Sequence, residues 1–391
     1  MVTLPQNGEK ASAVMAMRFR TIGLVASSVI LLGLSQESIA DIAVNARVQD
    51  IVAADLAPEV GNKGGLAVAV YTDGRAHFFD YGFADRATQQ AVTPDTLFNI
   101  ASVRKPFEAT LVALGTVRGE LSLDDLASTY VPELKSDYIR RVTIGQLVSH
   151  TSGLLLPTDH PPWPNETFTL QQFFDMLNAW TPPSDEQPGK QRIYSHAGYV
   201  LLQLVLERRY HRSIRDLIET RILKPLGMNE TFVPEREEDN RAGMPQQLLR
   251  RVVQGYSDSG AEIGPPGNQQ SYYDFPGTGQ MFSSARDLAI FLAACLGGGV
   301  ADPQLGQALR MTQQEMFRVD EKFGQSMAWE TVRLDDVEVV DKPGGLNNAT
   351  AYIGLVPARK IGIVLLANSG NFPHEIARYR VLPKLARLNA P

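Results

Sequence analysis

Leu66-Ala-Val-Ala-Val-Tyr71 is a run of small and β-branched residues, and His77-Phe-Phe-Asp-Tyr81 follows it across Asp73-Gly74. Two such runs joined by an Asp-Gly pair read as a β-hairpin. Near the other end of the chain, 351–356 and 361–366 have the same strand character. Between the two ends the apolar spacing changes. Val103, Phe107, Leu111 and Leu114 recur at steps of three and four until Gly119, which predicts a helix from Ser102. Segments 197–208, 214–223 and 284–296 are also predicted helices, the last capped by Ser283 or Ser284, and a helical tail begins near Pro373. Strands at both ends with helices between them predict an α/β fold. Its antiparallel sheet is built from both chain ends and carries flanking helices. A mainly helical lobe is inserted from about 106 to 250.

The chain has 391 residues, 44% hydrophobic and 20% charged, which is ordinary globular composition. The net charge of −6 argues against a nucleic-acid partner, which usually leaves a basic footprint. The single cysteine, Cys295, can make neither an internal disulfide nor a Cys-rich zinc site, and it lies in an apolar helix as a core residue. Residues 1–40 read as a secretory signal: Arg18 and Arg20 precede an uncharged, mostly apolar run over 21–34, and Ser38-Ile39-Ala40 ends it with small residues. That run is shorter than the ~20 residues a bilayer span needs. The expectation is therefore a periplasmic protein with no stable membrane anchor, whose single domain covers 41–391. Segments 154–164, rich in Pro, and 255–279, rich in Gly, Pro and Gln, read as loops.

Three short segments carry chemistry. Ser102-Val-Arg-Lys105 puts a hydroxyl and an amine on one helical face. A serine hydroxyl needs a neighbouring base to become a nucleophile, and Lys105 either supplies that base or stabilises the alkoxide. The same four residues also read as an N-cap serine beside a solvated lysine. Tyr194-Ser-His196 follows Gln187-Pro-Gly189 and opens a predicted helix. A phenol among lysines is a plausible base, and equally a tyrosine packed at a helix start. Lys342-Pro-Gly-Gly345 precedes the strand at Ala351. Its glycines allow close approach of backbone to a ligand, and an N–H there can face a developing oxyanion. Pro-Gly is also a strong turn former.

Taken in this order, the three segments resemble the serine β-lactamase and penicillin-binding protein superfamily, and class C β-lactamases most of all. The resemblance extends over 96–102, 146–153, 188–198 and 361–368 and so covers almost all of 41–391. It implies that Ser102 is acylated by a β-lactam carbonyl. It further implies that Tyr194 is the general base, with Lys105 and Lys342 holding its charge. The oxyanion hole is then formed by the N–H groups of Ser102 and Gly345. His196, Lys342 and Gly344 contact the substrate, a β-lactam or a related small amide or ester, and the enzyme is a monomer.

Four features depart from the class C pattern. His196 stands where the family usually has Asn, and Pro343 where it usually has Thr. The span from Trp329 to Lys342 is short, which predicts an open site. Pro276-Gly-Thr-Gly-Gln-Met-Phe-Ser-Ser284 looks more like related esterases and peptidases. An esterase, D-aminopeptidase or DD-peptidase therefore stays open as a reading, as does a penicillin-binding sensor that acylates without turnover. The serine route needs no cofactor. His196 also raises zinc as a ligand, and carbapenem hydrolysis as an outcome, although the six histidines show no H-x-H or H-E-x-x-H spacing. His374 falls where the family contacts the substrate carboxylate, and His150, in Ser-His-Thr-Ser-Gly, reads as structural.

Overall fold

Asp73 and Gly74 take positive φ values of 51° and 80°. Two such residues in succession make the tight turn whose twist matches a hairpin. They join strands β1 (Gly65–Thr72) and β2 (Arg75–Asp85). The sheet continues with β3 (Gln90–Ala91), β4 (Phe317–Arg318), β5 (Phe323–Gln325), β6 (Glu330–Arg333), β7 (Glu338–Leu346), β8 (Ala349–Val356) and β9 (Ile361–Ala367). The computed structural model describes residues 39–61, 64–154, 169–182, 187–236, 242–243, 246–264, 266 and 281–388. All but the last two residues of the expected signal segment, nearly all of the Pro-rich stretch, His160, the second half of the 255–279 loop and 276–280 of the esterase-like segment lie outside the described residues.

Among the described residues the sheet is antiparallel throughout, in the order β3-β2-β1-β9-β8-β7-β6-β5-β4. The first and last strands of the sequence are neighbours inside it, with Leu66 opposite Ala367 and Tyr71 opposite Gly362. The sheet is thus built from both chain ends. Alternation sorts the side chains of β1. Leu66, Val68 and Val70 face a core shared with Val48 and Val52 of helix α1 (Ile39–Asp55) and with the C-terminal Leu382 and Leu385. Ala67 and Ala69 face the other core, with Phe107, Leu288 and Phe291. Because both faces are covered, β8 and β9 are buried at every position, which is why they read as unbroken apolar runs.

Helix α2 (Lys105–Val117) runs through the second core and is buried from Lys105 to Gly115. The predicted helix start needs correcting: Ser102 lies in a 3₁₀ turn, Ala101–Arg104, that precedes the α-helix. Pro106 sits in the first turn of α2, where a missing N–H costs nothing. Farther on come α3 (Ile144–Val148), α4 (His196–Tyr210), α5 (Ala285–Cys295), capped by Ser284, and α6 (Pro303–Thr312). The rings of Phe107 and Phe291 stack at 4.1 Å where α2 meets α5.

Lys342-Pro-Gly-Gly345 also differs from the turn reading, since it lies inside β7. β6 accompanies β7 only as far as the Glu330–Asp341 pair, so beyond Asp341 one edge of β7 has no partner strand among the described residues. A proline is tolerated on such an edge. Ala43–Pro391 folds as one compact unit. Among the described residues no helix is long and apolar enough to cross a membrane.

Candidate active site

The turn that carries Ser102 packs against the face of β7 at Gly344. Gly344 faces this turn so closely that a Cβ there would stand 2.8 Å from the Ile100 carbonyl oxygen and 2.9 Å from the Ser102 nitrogen. Only glycine permits that approach. The turn is held from behind: Ile100 N–H donates to the Met281 carbonyl at 2.9 Å, and Ala101 N–H donates to Asn99 Oδ1, also at 2.9 Å. Ala101 itself takes a φ of 48°, unusual for a residue with a Cβ.

Two groups converge on the Ser102 hydroxyl. Lys105 Nζ donates to Oγ at 3.1 Å, and Tyr194 OH donates to it at 2.8 Å. Tyr194 sits just before α4, whose N-cap Ser195 accepts the Gly198 N–H at 2.8 Å. The Lys342 ammonium lies 4.4 Å from the centre of the Tyr194 ring and that of Lys105 5.3 Å from it. Both lysines are buried, with 1% and 2% exposure for Lys105 and Lys342. Burial pushes the Lys342 ammonium below its ordinary pKa, and Lys105 and Arg192 act in the same direction; Tyr194 and Glu330 pull against them.

The remaining predicted residues line the same cleft, of about 1030 Å³, with Ser102. His196 meets the Tyr194 ring edge-on, 5.2 Å away at 89°. Gly345 faces open space, where a Cβ would meet nothing within 4 Å. His374 also lines the cleft, and burial holds its imidazole below the ordinary value. Among the described residues no three His, Cys, Asp or Glu side chains come together as a metal group, so His196 gains no companion ligands there.

Behind Lys342 lies an ion network that sequence reasoning missed. Glu330 accepts from Arg192 at 2.9 Å and from Arg378 at 2.7 Å. Arg378 also donates twice to Asp341, at 2.6 and 2.7 Å, and Tyr352 OH donates to Asp341 at 2.6 Å. Burial raises the Glu330 carboxyl, but Lys342, Arg378 and Arg192 outweigh it and hold the group below its usual value. The network ties the segment before Tyr194 to β6, β7 and the C-terminal region. Its members lie far apart in sequence and form no local pattern. Their one sequence signal is position, since Arg192 is two residues from Tyr194 and Asp341 adjoins Lys342.

A serine bonded to a lysine and a tyrosine, at the exposed edge of a sheet made from both termini, restricts the comparison sharply. The β-lactamase family profile matches residues 48–386. The chain belongs to the β-lactamase family. It is 31% identical over 345 residues to a β-lactamase of Psychrobacter immobilis, covering 79% of this chain and 80% of that protein. Its fold is similar to the class C β-lactamase of Rhodobacter sphaeroides, with a TM-score of 0.72 and 29% identity, over 88% of this chain and 99% of that one. It is also similar to a β-lactamase/D-alanine carboxypeptidase of Pseudomonas syringae, with a TM-score of 0.74 and 25% identity, over 90% and 100% of the two chains. The enzyme is thus a serine hydrolase of class C-like type.

Proposed function

We propose that the enzyme hydrolyses the β-lactam amide through a Ser102 acyl-enzyme. Tyr194 takes the Ser102 proton as Oγ attacks the lactam carbonyl. The N–H groups of Ser102 and Gly345 receive the oxyanion, since both residues line the cleft at the edge of β7. Tyr194 then returns the proton to the leaving lactam nitrogen, and water attacks the ester to release product and restore Ser102. Lys105 and Lys342 hold charge at the phenol. Lys342, His196 and Gly344 contact the substrate. The observation that carries this reading is the placement of Ser102 Oγ within hydrogen-bond distance of both Tyr194 OH and Lys105 Nζ. The serine route uses no cofactor. The leader-like 1–40 supports a periplasmic location. His196 beside the phenol supports a substrate range that extends to carbapenems, with zinc as a separate question for the same experiment.

A second reading, a DD-peptidase or esterase on this scaffold, is favoured by the short connection from β6 to β7, which runs only from Arg333 to Glu338. Pro343, which offers no hydroxyl to the substrate, favours it too. Mass spectrometry over time with a penicillin, a cephalosporin, a carbapenem, a D-alanyl peptide and an ester, with and without chelator, tests both. The expected result is a transient adduct on wild type, multiple turnovers, no effect of chelator, and no adduct on Ser102→Ala. An adduct on Ser102→Ala would place the nucleophile elsewhere. A stoichiometric adduct that never clears would make the protein a penicillin-binding sensor. Turnover of D-alanyl peptides or esters alone would select the second reading.

A further inference from the structure

His150 belongs to a motif that the reaction above does not use, yet it holds both residues that flank the phenol. It ends the turn after α3 with a φ of 56°, in the left-handed region. Its carbonyl oxygen accepts the Ile193 N–H at 2.8 Å. Its Nδ1 accepts the Ser195 N–H at 3.3 Å. The imidazole lies beneath Tyr194, with ring centres 4.4 Å apart, and against Tyr199, at 4.8 Å. Tyr199 is itself anchored, its OH donating to the Val148 carbonyl at 2.8 Å. The side chain of His150 is 1% exposed.

These contacts make a clamp. Tyr194 is aimed by the backbone on either side of it, and the N–H groups of both neighbouring residues, Ile193 and Ser195, end on His150. We propose that His150 is a positioning residue for Tyr194, fixing the phenol oxygen on Ser102 Oγ through the two flanking N–H groups and the imidazole packed against the phenol ring. The clamp needs Nδ1 as an acceptor, which requires the ring proton on Nε2. Nε2 is buried, with no hydrogen-bond partner among the described residues. The surroundings keep the ring in this form: burial first, then Lys342, Lys105, Arg192 and His196 hold the imidazole well below its ordinary pKa. A second proton, on Nδ1, would turn the acceptor toward the Ser195 N–H as a donor. The positive φ is part of the same device, because it turns the side chain and the carbonyl of one residue toward the same segment.

The proposal rests on the reading of Tyr194 as the base, and the test separates the two. Acylation by a chromogenic cephalosporin is followed in the pre-steady state for wild type, His150→Phe, His150→Asn, Tyr194→Phe and the double variant of His150→Phe with Tyr194→Phe. Phe keeps a ring but has no acceptor. Asn keeps an acceptor near the place of Nδ1 and tolerates the left-handed backbone. The expected result for His150→Phe is an acylation rate about 10²-fold lower, the size of a ~1 Å misplacement, with the dissociation constant of the complex before acylation within about twofold of wild type. His150→Asn should recover most of that rate, and the double variant should lose no more than Tyr194→Phe alone. A wild-type rate in His150→Phe, or losses that multiply in the double variant, overturns the clamp. An undiminished rate in Tyr194→Phe overturns the base reading instead, whatever His150 does. Should His150→Phe fold poorly by thermal melting, His150→Gly takes this φ without strain and must show the same loss.

Discussion

Ser102 Oγ has two donors on it, the Tyr194 hydroxyl at 2.8 Å and the Lys105 ammonium at 3.1 Å, and only one of them can take its proton. Each must first lose its own. A neutral Lys105 would leave the phenol with one buried cation fewer, whereas with both lysines charged their ammonium groups lie 4.4 Å (Lys342) and 5.3 Å (Lys105) from the centre of the Tyr194 ring. On the proposed mechanism the lysines are charge holders and the tyrosine is the base. Tyr194→Phe should therefore lower the acylation rate by roughly 10²–10⁴, the range of general acid–base groups. Binding before acylation should change little, because the phenyl ring keeps its contacts. An unchanged acylation rate, read from the growth of adduct in a mass spectrum, would move the base role to Lys105.

At the scale of elements, the site depends on how closely β7 meets the turn at Ser102. Gly344→Ala places a Cβ 2.8–2.9 Å from two backbone atoms that cannot rotate away. Either the turn or the strand must shift. Overpacking of this kind costs about 1–3 kcal/mol, and the shifted hydroxyl should acylate about 10²-fold more slowly. Gly345→Ala is the control for stability alone, since its Cβ enters open space; its melting temperature should match wild type while that of Gly344→Ala falls. Equal melting temperatures in both variants would refute the close contact. The same strand shows where reading the sequence runs out. β1, β8, β9 and α2 were legible because burial on both faces, or on one helical stripe, leaves unbroken local patterns. β7 was not: Pro343, Gly344 and Gly345 read as a turn, and only their pairing with Tyr352, Ala351 and Thr350 of β8 makes them strand residues. The short strands β4 and β5 carry too few residues to show a period. The residues on the Ser102 hydroxyl were found through motif order and resemblance. The Arg192–Glu330–Arg378 network was invisible, because long-range ion pairs leave no local signature.

At the scale of the whole molecule, burying imidazoles around a cluster of cations couples the site to the stability of the fold. His150 and His374 are both held below the ordinary histidine value, burial being the largest cause in each. An unfolded chain protonates these rings near pH ~6.5, and the folded chain does not. Below that pH the unfolded state therefore binds more protons, and folding stability must fall as pH falls. Above it both states are neutral, and the contribution is level. Other groups act in opposite directions. Asp80, raised to about 6 by burial, keeps its proton longer in the folded state and so favours folding as pH falls from 6 toward 3.8. Glu330, held low by its cations despite its burial, loses stability for the fold only once pH falls below the unfolded carboxyl value of 4.5. An absolute stability curve mixes all of these, so the useful quantity is a difference. Urea unfolding of wild type and His150→Asn, measured from pH 5 to 8, should give stabilities whose difference is constant above about 6.5. As pH falls further, wild type should lose ground to the variant by up to about 1.4 kcal/mol per pH unit, the limit for one proton. Parallel curves would mean that the ring takes up its proton equally well folded and unfolded. It could not then be the neutral, buried acceptor that holds Ser195.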